Sequence, residues 1–110
     1  MEEIRTNMEN LRKLAAWAVN TYDADENDVQ SQDCADALTK LYELLDEGWQ
    51  AVEPNLEEPN LSELYGKLEE ATLLMEGPLM RLKDTNEYLV QVCGVLPELK
   101  MKIIYYGDED

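Results

Sequence analysis

The chain has 110 residues and a formal net charge of −16 at pH 7, from 25 acidic and 9 basic residues, with no histidine. A chain of this length forms one domain, and its hydrophobic content of 45% supplies an apolar core. Because such a charge repels nucleic acid and anionic membranes, the composition excludes both as direct partners and points to a basic protein.

Two amphipathic helices are predicted in the first half of the chain. Apolar residues recur three and four positions apart from Ile4 to Tyr22, which predicts a first helix of about twenty residues. A second helix is predicted from Ser31 or Gln32 to Val52, with Ser31 as its N-cap.

The run Asp23-Ala24-Asp25-Glu26-Asn27 between these helices resembles the start of an EF-hand calcium loop in three ligand positions only. Counting from Asp23, Asp28 stands where the motif requires glycine, and Cys34 stands where it requires a bidentate glutamate. We therefore expect a solvated acidic loop without a metal ion.

A third helix is predicted after two prolines, Pro54 and Pro59, which interrupt the helical pattern. Asn60 is its predicted N-cap, and Glu63 follows three residues later in the position of a capping box. Gly77-Pro78 is expected to end this helix.

A fourth helix is predicted from Pro78 to Cys93, with Gly94 as its C-terminal cap. The segment 98–106 fits either a short fifth helix or a strand, because its apolar residues match both periods. The predicted fold class is all-α, an antiparallel four-helix bundle with a short C-terminal helix or strand. We expect residues 1–106 to form a single acidic helical domain and residues 107–110 a disordered acidic tail.

Residue types that carry catalysis or bind metals are scarce. Cys34 and Cys93 are the only cysteines, which together with the absence of histidine disfavours a disulfide framework or a zinc site. The absence of histidine also removes Glu-x-x-His diiron motifs and Ser-His or Cys-His pairs. No apolar run is long enough to span a membrane, and the first residues lack the layout of a signal peptide. We therefore expect a non-enzymatic protein with no cofactor or metal, in the cytoplasm, or in the host cytoplasm if it is phage-encoded.

Most of the negative charge lies in the middle of the chain, where residues 20–76 contain sixteen acids against Lys40 and Lys67. Carboxylates one helical turn apart are about 5–6 Å from each other, a spacing comparable in scale with successive phosphates of a DNA strand. A solvated face without a partner is the alternative. The residues predicted to form a partner-binding acidic surface are Asp33, Asp36, Glu43, Glu47, Glu63 and Glu70.

Two further groups of residues are candidate contact sites. Trp17, Tyr42 and Trp49 lie beside the predicted apolar stripes, which favours aromatic anchors for a partner, with edge-of-core packing as the alternative. The fourth helix and the segment after it carry a second apolar line. It is a candidate face for a homodimer or for closure of the chain on itself: Tyr88, Val92, Val95, Ile104 and Tyr106.

These features predict a non-enzymatic acidic binding protein that occupies and blocks a basic, nucleic-acid-binding surface of a target protein. In size, charge and helical content the chain resembles small acidic inhibitors of phages and mobile elements, including DNA mimics and anti-CRISPR proteins, although no motif assigns it to a family. The alternative is a small acidic helical adaptor or a chaperone of secretion or flagellar systems, which would bind an apolar partner helix.

Overall fold

In the computed structural model, four helices contain almost all of the described residues, which are 2–22, 27, 29–52 and 60–108. The helices are α1 (Glu2–Thr21), α2 (Val29–Val52), α3 (Leu61–Glu76) and α4 (Glu87–Asp108). A 3-10 turn, Leu82–Asp84, precedes α4, and these ranges contain no strand. The predicted all-α helical bundle is confirmed.

Each helix runs antiparallel to its neighbours. The hydroxyl of Tyr22, just after α1, lies 3.2 Å from that of Ser31 near the start of α2. Trp17, late in α1, contacts Tyr88 at the start of α4. Because α1 packs against α2 and α4, and α3 also packs against both, α2 and α4 lie diagonally across the bundle.

One apolar core fills the bundle, and no polar or charged residue is buried in the described part of the chain. Gly48 allows α2 to approach its neighbours, since a Cβ there would lie 3.0 Å from side-chain atoms of both Met8 and Leu64. Every helix contributes to the largest fully buried side chains, which include Met8, Leu11, Leu41, Leu45, Leu64, Leu68, Leu89 and Leu99.

The fourth helix begins later than predicted, at Glu87 and not at Pro78. The side-chain oxygen of Asn86 accepts hydrogen bonds from the backbone N–H groups of Tyr88 (2.9 Å) and Leu89 (3.2 Å). Asn86 is therefore the N-cap of α4.

Gly94 does not end α4, which continues through Pro97 to Asp108. Residues 98–106 are thus helical, and the strand alternative is wrong. An internal proline costs about 3 kcal/mol, whereas each buried large apolar side chain contributes about 1.5–3 kcal/mol. Three residues beyond Gly94 are buried in the core at helical spacing, and their burial outweighs the proline: Leu96, Leu99 and Ile103.

Two predicted helix starts have different outcomes. The predicted N-cap of α3 is confirmed, because the Asn60 Oδ1 accepts a hydrogen bond of 3.0 Å from the backbone N–H of Glu63. The second helix begins at Val29, so Ser31 lies inside it and is not its N-cap.

The predicted tail overlaps the end of α4 at residues 107–108, and residues 109–110 lie outside the described part.

Two more segments lie outside the described residues. They are residues 23–26 and 28, in the run that resembles a calcium loop, and residues 53–59, which include Pro54 and Pro59. Among the described helices, none is long and apolar enough to cross a membrane.

Candidate functional site

All six carboxylates of the predicted acidic surface are exposed to solvent. Asp33, Asp36, Glu43 and Glu47 follow one another along α2 at spacings of three, seven and four residues, so they share one side of that helix. Glu63 and Glu70 lie on α3, which packs directly against α2. We call these six residues the acidic surface.

Lys67 brings the carboxylates of the two helices together. Its Nζ lies 2.7 Å from the Glu47 Oε2. The hydrogen bond to Glu47, with added attraction from Glu70 and Glu63, raises the pKa of Lys67. The same hydrogen bond lowers the pKa of Glu47. A single ammonium group thus lies among three carboxylates, and the centre of the acidic surface keeps a net negative charge.

Two acids on other sides of α2 and α3 are paired with cations of the neighbouring helices. Asp46 pairs with Arg12 of α1 at 2.9 Å, and Glu69 pairs with Lys100 of α4 at 2.8 Å. In contrast, five members of the acidic surface have no ion pair within the described ranges: Asp33, Asp36, Glu43, Glu63 and Glu70. The uncompensated charge is therefore concentrated where α2 meets α3.

The three aromatic candidates lie at three different places. Trp17 is half-exposed at the contact of α1 with α4, where its ring centroid lies 5.7 Å from that of Tyr88. Trp49 is half-buried beneath the guanidinium groups of Arg5 and Arg12, 5.7 and 5.5 Å from its ring centroid. Tyr42 is half-buried against the core. Trp17 is thus separated from the acidic surface, and Trp49 joins α1 to α2.

The residues of the predicted dimer or closure face are also separated. Val92 is fully buried in the core, and Tyr88 and Val95 are half-buried against it. Ile104 is exposed, and the side chain of Tyr106 lies outside the described part. Because Val92 contributes to the core, it offers no surface to a second chain.

An apolar groove of about 460 Å³ runs between α3 and α4, and we call it the α3–α4 groove. The Lys100 side chain crosses it, held by Glu69 and by the Thr72 hydroxyl at 3.4 Å. Burial raises the pKa of the Cys93 thiol, so this thiol is a poor nucleophile at neutral pH. The groove is suited to an apolar side chain, since its lining includes Tyr65, Met75, Cys93, Leu96, Met101 and Ile104.

Two features of these surfaces were missed by sequence reasoning. Lys67 was counted only as a cation within the acidic segment, although its place seven residues after Asn60 and three before Glu70 puts it among the acids of α3. A second apolar side of the fourth helix was predicted, but its exposed residues were missed, because Val92 and Val95 were assigned to it and Gly94 was interpreted as the end of the helix. The signal was present, since Val90, Pro97 and Met101 continue the helical spacing across that glycine.

The described residues contain no group of three or more His, Cys, Asp or Glu side chains placed to hold a metal ion. Comparison of the chain with protein-family models, curated proteins and solved structures found no match. The charge, exposure and geometry of these surfaces are therefore the evidence that bears on function.

Proposed function

We propose that this protein is a non-enzymatic binding protein whose acidic surface occupies and blocks a basic, nucleic-acid-binding surface of a target protein. The observation that carries the proposal is the row of exposed carboxylates on α2 and α3, of which only Glu47 is paired with a cation. Phage-type inhibitors, DNA mimics and anti-CRISPR proteins act in this manner, and we place the protein in this functional class.

Electrostatics supports a basic partner. A net charge of −16 steers cationic molecules toward the chain and raises their association rate. Like-charge neighbours on one helix face repel by a few tenths of a kcal/mol per pair, so the row on α2 lowers the stability of its own helix. A partner that supplies lysine and arginine side chains relieves this repulsion on binding.

The spacing of the carboxylates supports a target that normally binds nucleic acid. Asp33 with Asp36, and Glu43 with Glu47, lie one helical turn apart and present anionic oxygens about 5–6 Å from each other, an interval at which basic grooves for nucleic acid accept phosphates. The two pairs are two turns apart, about 10 Å along the helix, with Lys40 between them. The chain itself repels nucleic acid, so its effect on such a target is to compete with DNA or RNA for the same cations.

A pair of charge-reversal variants tests the proposal. Asp36→Lys with Glu43→Lys changes the acidic surface and leaves the Lys67–Glu47 ion pair in place. Glu3→Lys with Glu98→Lys changes the net charge equally at exposed positions on α1 and α4. Each protein is used to capture partners from an extract of the source organism, and the captured proteins are identified by mass spectrometry.

The wild-type chain and the control variant should capture the same basic protein, and duplex DNA should displace it. We expect affinity to fall steeply between about 50 mM and 500 mM NaCl. The acidic-surface variant should lose at least about tenfold in affinity. Binding that is unaffected by salt, or that is lost equally in both variants, would contradict the proposal.

A second candidate function is supported by the α3–α4 groove, whose size and apolar lining suit the side chains of a partner helix. In this role the protein is an adaptor or a chaperone of the secretion or flagellar type. Ile104→Asp at the exposed edge of the groove should then abolish capture, while Asp36→Lys with Glu43→Lys should not. Val92 is unsuitable for this test because its replacement would open a cavity in the core.

A further inference from the structure

The outer side of α4 is apolar over most of its length. Five residues spaced three or four apart form a continuous exposed line, which we call the α4 stripe: Val90, Gly94, Pro97, Met101 and Tyr105. The exposed fractions of Val90, Met101 and Tyr105 are 49%, 48% and 63%. The opposite side of the same helix supplies Leu89, Val92 and Leu96 to the core, so α4 is apolar on two sides.

This concentration of apolar surface is not repeated on the other helices. Among the described residues, seven large apolar side chains are exposed, and four of them lie on α4: Val90, Met101, Ile104 and Tyr105. Scattered apolar residues are normal on protein surfaces, whereas a continuous line of them on one helix marks a contact face. The removal of this line from water would be favourable on association.

The shape of the stripe allows a second helix to approach closely. A Cβ at Gly94 would meet no atom within 4 Å, so the backbone of α4 is open to a partner at this point. Pro97 is also exposed, and the bulkier Val90 and Met101 lie on either side of this small-residue centre. Small residues between larger ones let helices pack with their backbones near each other.

Charge favours a second copy of this chain over a strongly charged partner. The part of the chain around α4 is nearly balanced, because residues 77–105 carry four cations and three acids: Arg81, Lys83, Lys100, Lys102, Asp84, Glu87 and Glu98. Since α2 lies diagonally opposite α4, two copies that meet at the α4 stripe keep the α2 carboxylates of their acidic surfaces far apart. At α2 or α3, association would bring more uncompensated carboxylates together. The charges of α1 are balanced, but among the described residues this helix exposes one large apolar side chain, Trp17.

We propose that two copies of this chain associate through the α4 stripe into a two-fold dimer whose acidic surfaces face away from each other. The contact is isologous, so the same residues of both copies form it. This dimer does not depend on the function proposed above, and it would present two acidic surfaces to separate target molecules.

Sedimentation equilibrium on the full chain over about two decades of protein concentration tests the proposal. We expect the mass to rise from 12.7 kDa toward twice that value. Raising NaCl from about 50 mM to about 500 mM should strengthen the dimer several-fold, because salt screens the repulsion between two anionic copies. Target binding by the acidic surface should weaken under the same change, so the failure of either proposal is distinguishable from failure of the other.

Two variants of the stripe have matched controls on α3. Gly94→Glu is compared with Gly66→Glu, because both glycines are exposed inside helices with open space around them. Val90→Glu is compared with Leu73→Glu, since both side chains are exposed and apolar. Each stripe variant should weaken the dimer at least about tenfold relative to its control, which has the same change in charge.

Circular dichroism checks that each variant is folded, and the glycine variants should also gain helix propensity. A mass that stays at 12.7 kDa at every concentration and salt level overturns the proposal. So does a dimer that the stripe variants and the α3 variants weaken equally.

Discussion

At the scale of single residues, Lys67 organises the charge of the acidic surface. Its removal in Lys67→Met should raise the pKa of Glu47 toward its ordinary value, because the hydrogen bond from Lys67 is the largest cause of the lowered pKa. Lys40→Met is the matched control, since the charge of Lys40 is only a small cause of the same shift. Carboxyl NMR titration measures both changes, and a larger effect of Lys40→Met would contradict this assignment.

The sequence predicts exposure better than it predicts partners. Helical periodicity correctly placed Asp36 and Glu43 on the solvent side of α2, because burial follows from position on a known helix. It could not assign Arg12 and Arg5 to the ring of Trp49, which depends on how far α1 is shifted along α2. Contacts between helices depend on the packing of both, and no spacing within one helix contains that information.

At the scale of the helix, Pro97 interrupts the hydrogen bonding of α4. Pro97→Ala restores a backbone N–H and removes the crowding of the ring, so we expect a gain of about 1–2 kcal/mol in the free energy of unfolding after the larger entropy of the unfolded chain is subtracted. Pro78→Ala, in the turn before α4, should instead lose up to about 1 kcal/mol. Urea unfolding measures both, and equal signs for the two variants would refute the reasoning.

Asn86 begins α4 by accepting two backbone hydrogen bonds. Asn86→Ala should therefore lower the free energy of unfolding by about 1 kcal/mol. Asn10→Ala, at an exposed position inside α1, should change it by less than about 0.5 kcal/mol. If the two variants unfold at the same urea concentration, the N-cap contributes nothing to stability.

The existence of the four helices was predictable from the sequence. Their ends were predictable only where the capping or helix-breaking residues agreed with the apolar pattern around them. Asn60 and Glu63 agree with the apolar pattern that follows them, and α3 begins where they predict. At Gly94 and Pro97 the local residues oppose a helix, while Leu99 and Ile103 favour one through burial in the core. The core decides the outcome because its contribution exceeds local preference.

At the scale of the whole molecule, the bundle forms because four amphipathic helices bury their apolar faces together. The order of these helices along the chain determines which surfaces lie far apart. The α2 part of the acidic surface and the α4 stripe lie on opposite sides because α1 and α3 separate α2 from α4. The sequence predicts the acidic surface and a second apolar side of the fourth helix, but it does not identify the residues of the α4 stripe. The arrangement of the two surfaces becomes evident only from the closed ring of helices.

Self-repulsion should dominate the dependence of folding on salt. Salt weakens the three ion pairs that join helices in the described part of the chain: Arg12–Asp46, Lys67–Glu47 and Lys100–Glu69. All three are partly exposed to solvent, and such pairs typically contribute no more than about 1 kcal/mol each. Salt also screens the repulsion among the remaining carboxylates of a chain with a net charge of −16. We therefore expect the melting temperature to rise between about 50 mM and 500 mM NaCl.

The source of that rise can be located by neutralising part of the acidic surface. Asp36→Asn with Glu43→Gln removes two unpaired charges from the row on α2, so it should raise the melting temperature at low salt and flatten its dependence on NaCl. Glu3→Gln with Glu98→Gln, at exposed sites on α1 and α4, removes the same charge where fewer acids are near, and its effect should be smaller. Since a dimer also strengthens with salt, the melts are performed at low protein concentration, where the monomer dominates. A melting temperature that falls with NaCl would mean that the ion pairs outweigh the repulsion among carboxylates. The acidic surface would then not destabilise the fold, and a partner could not gain affinity by relieving that repulsion.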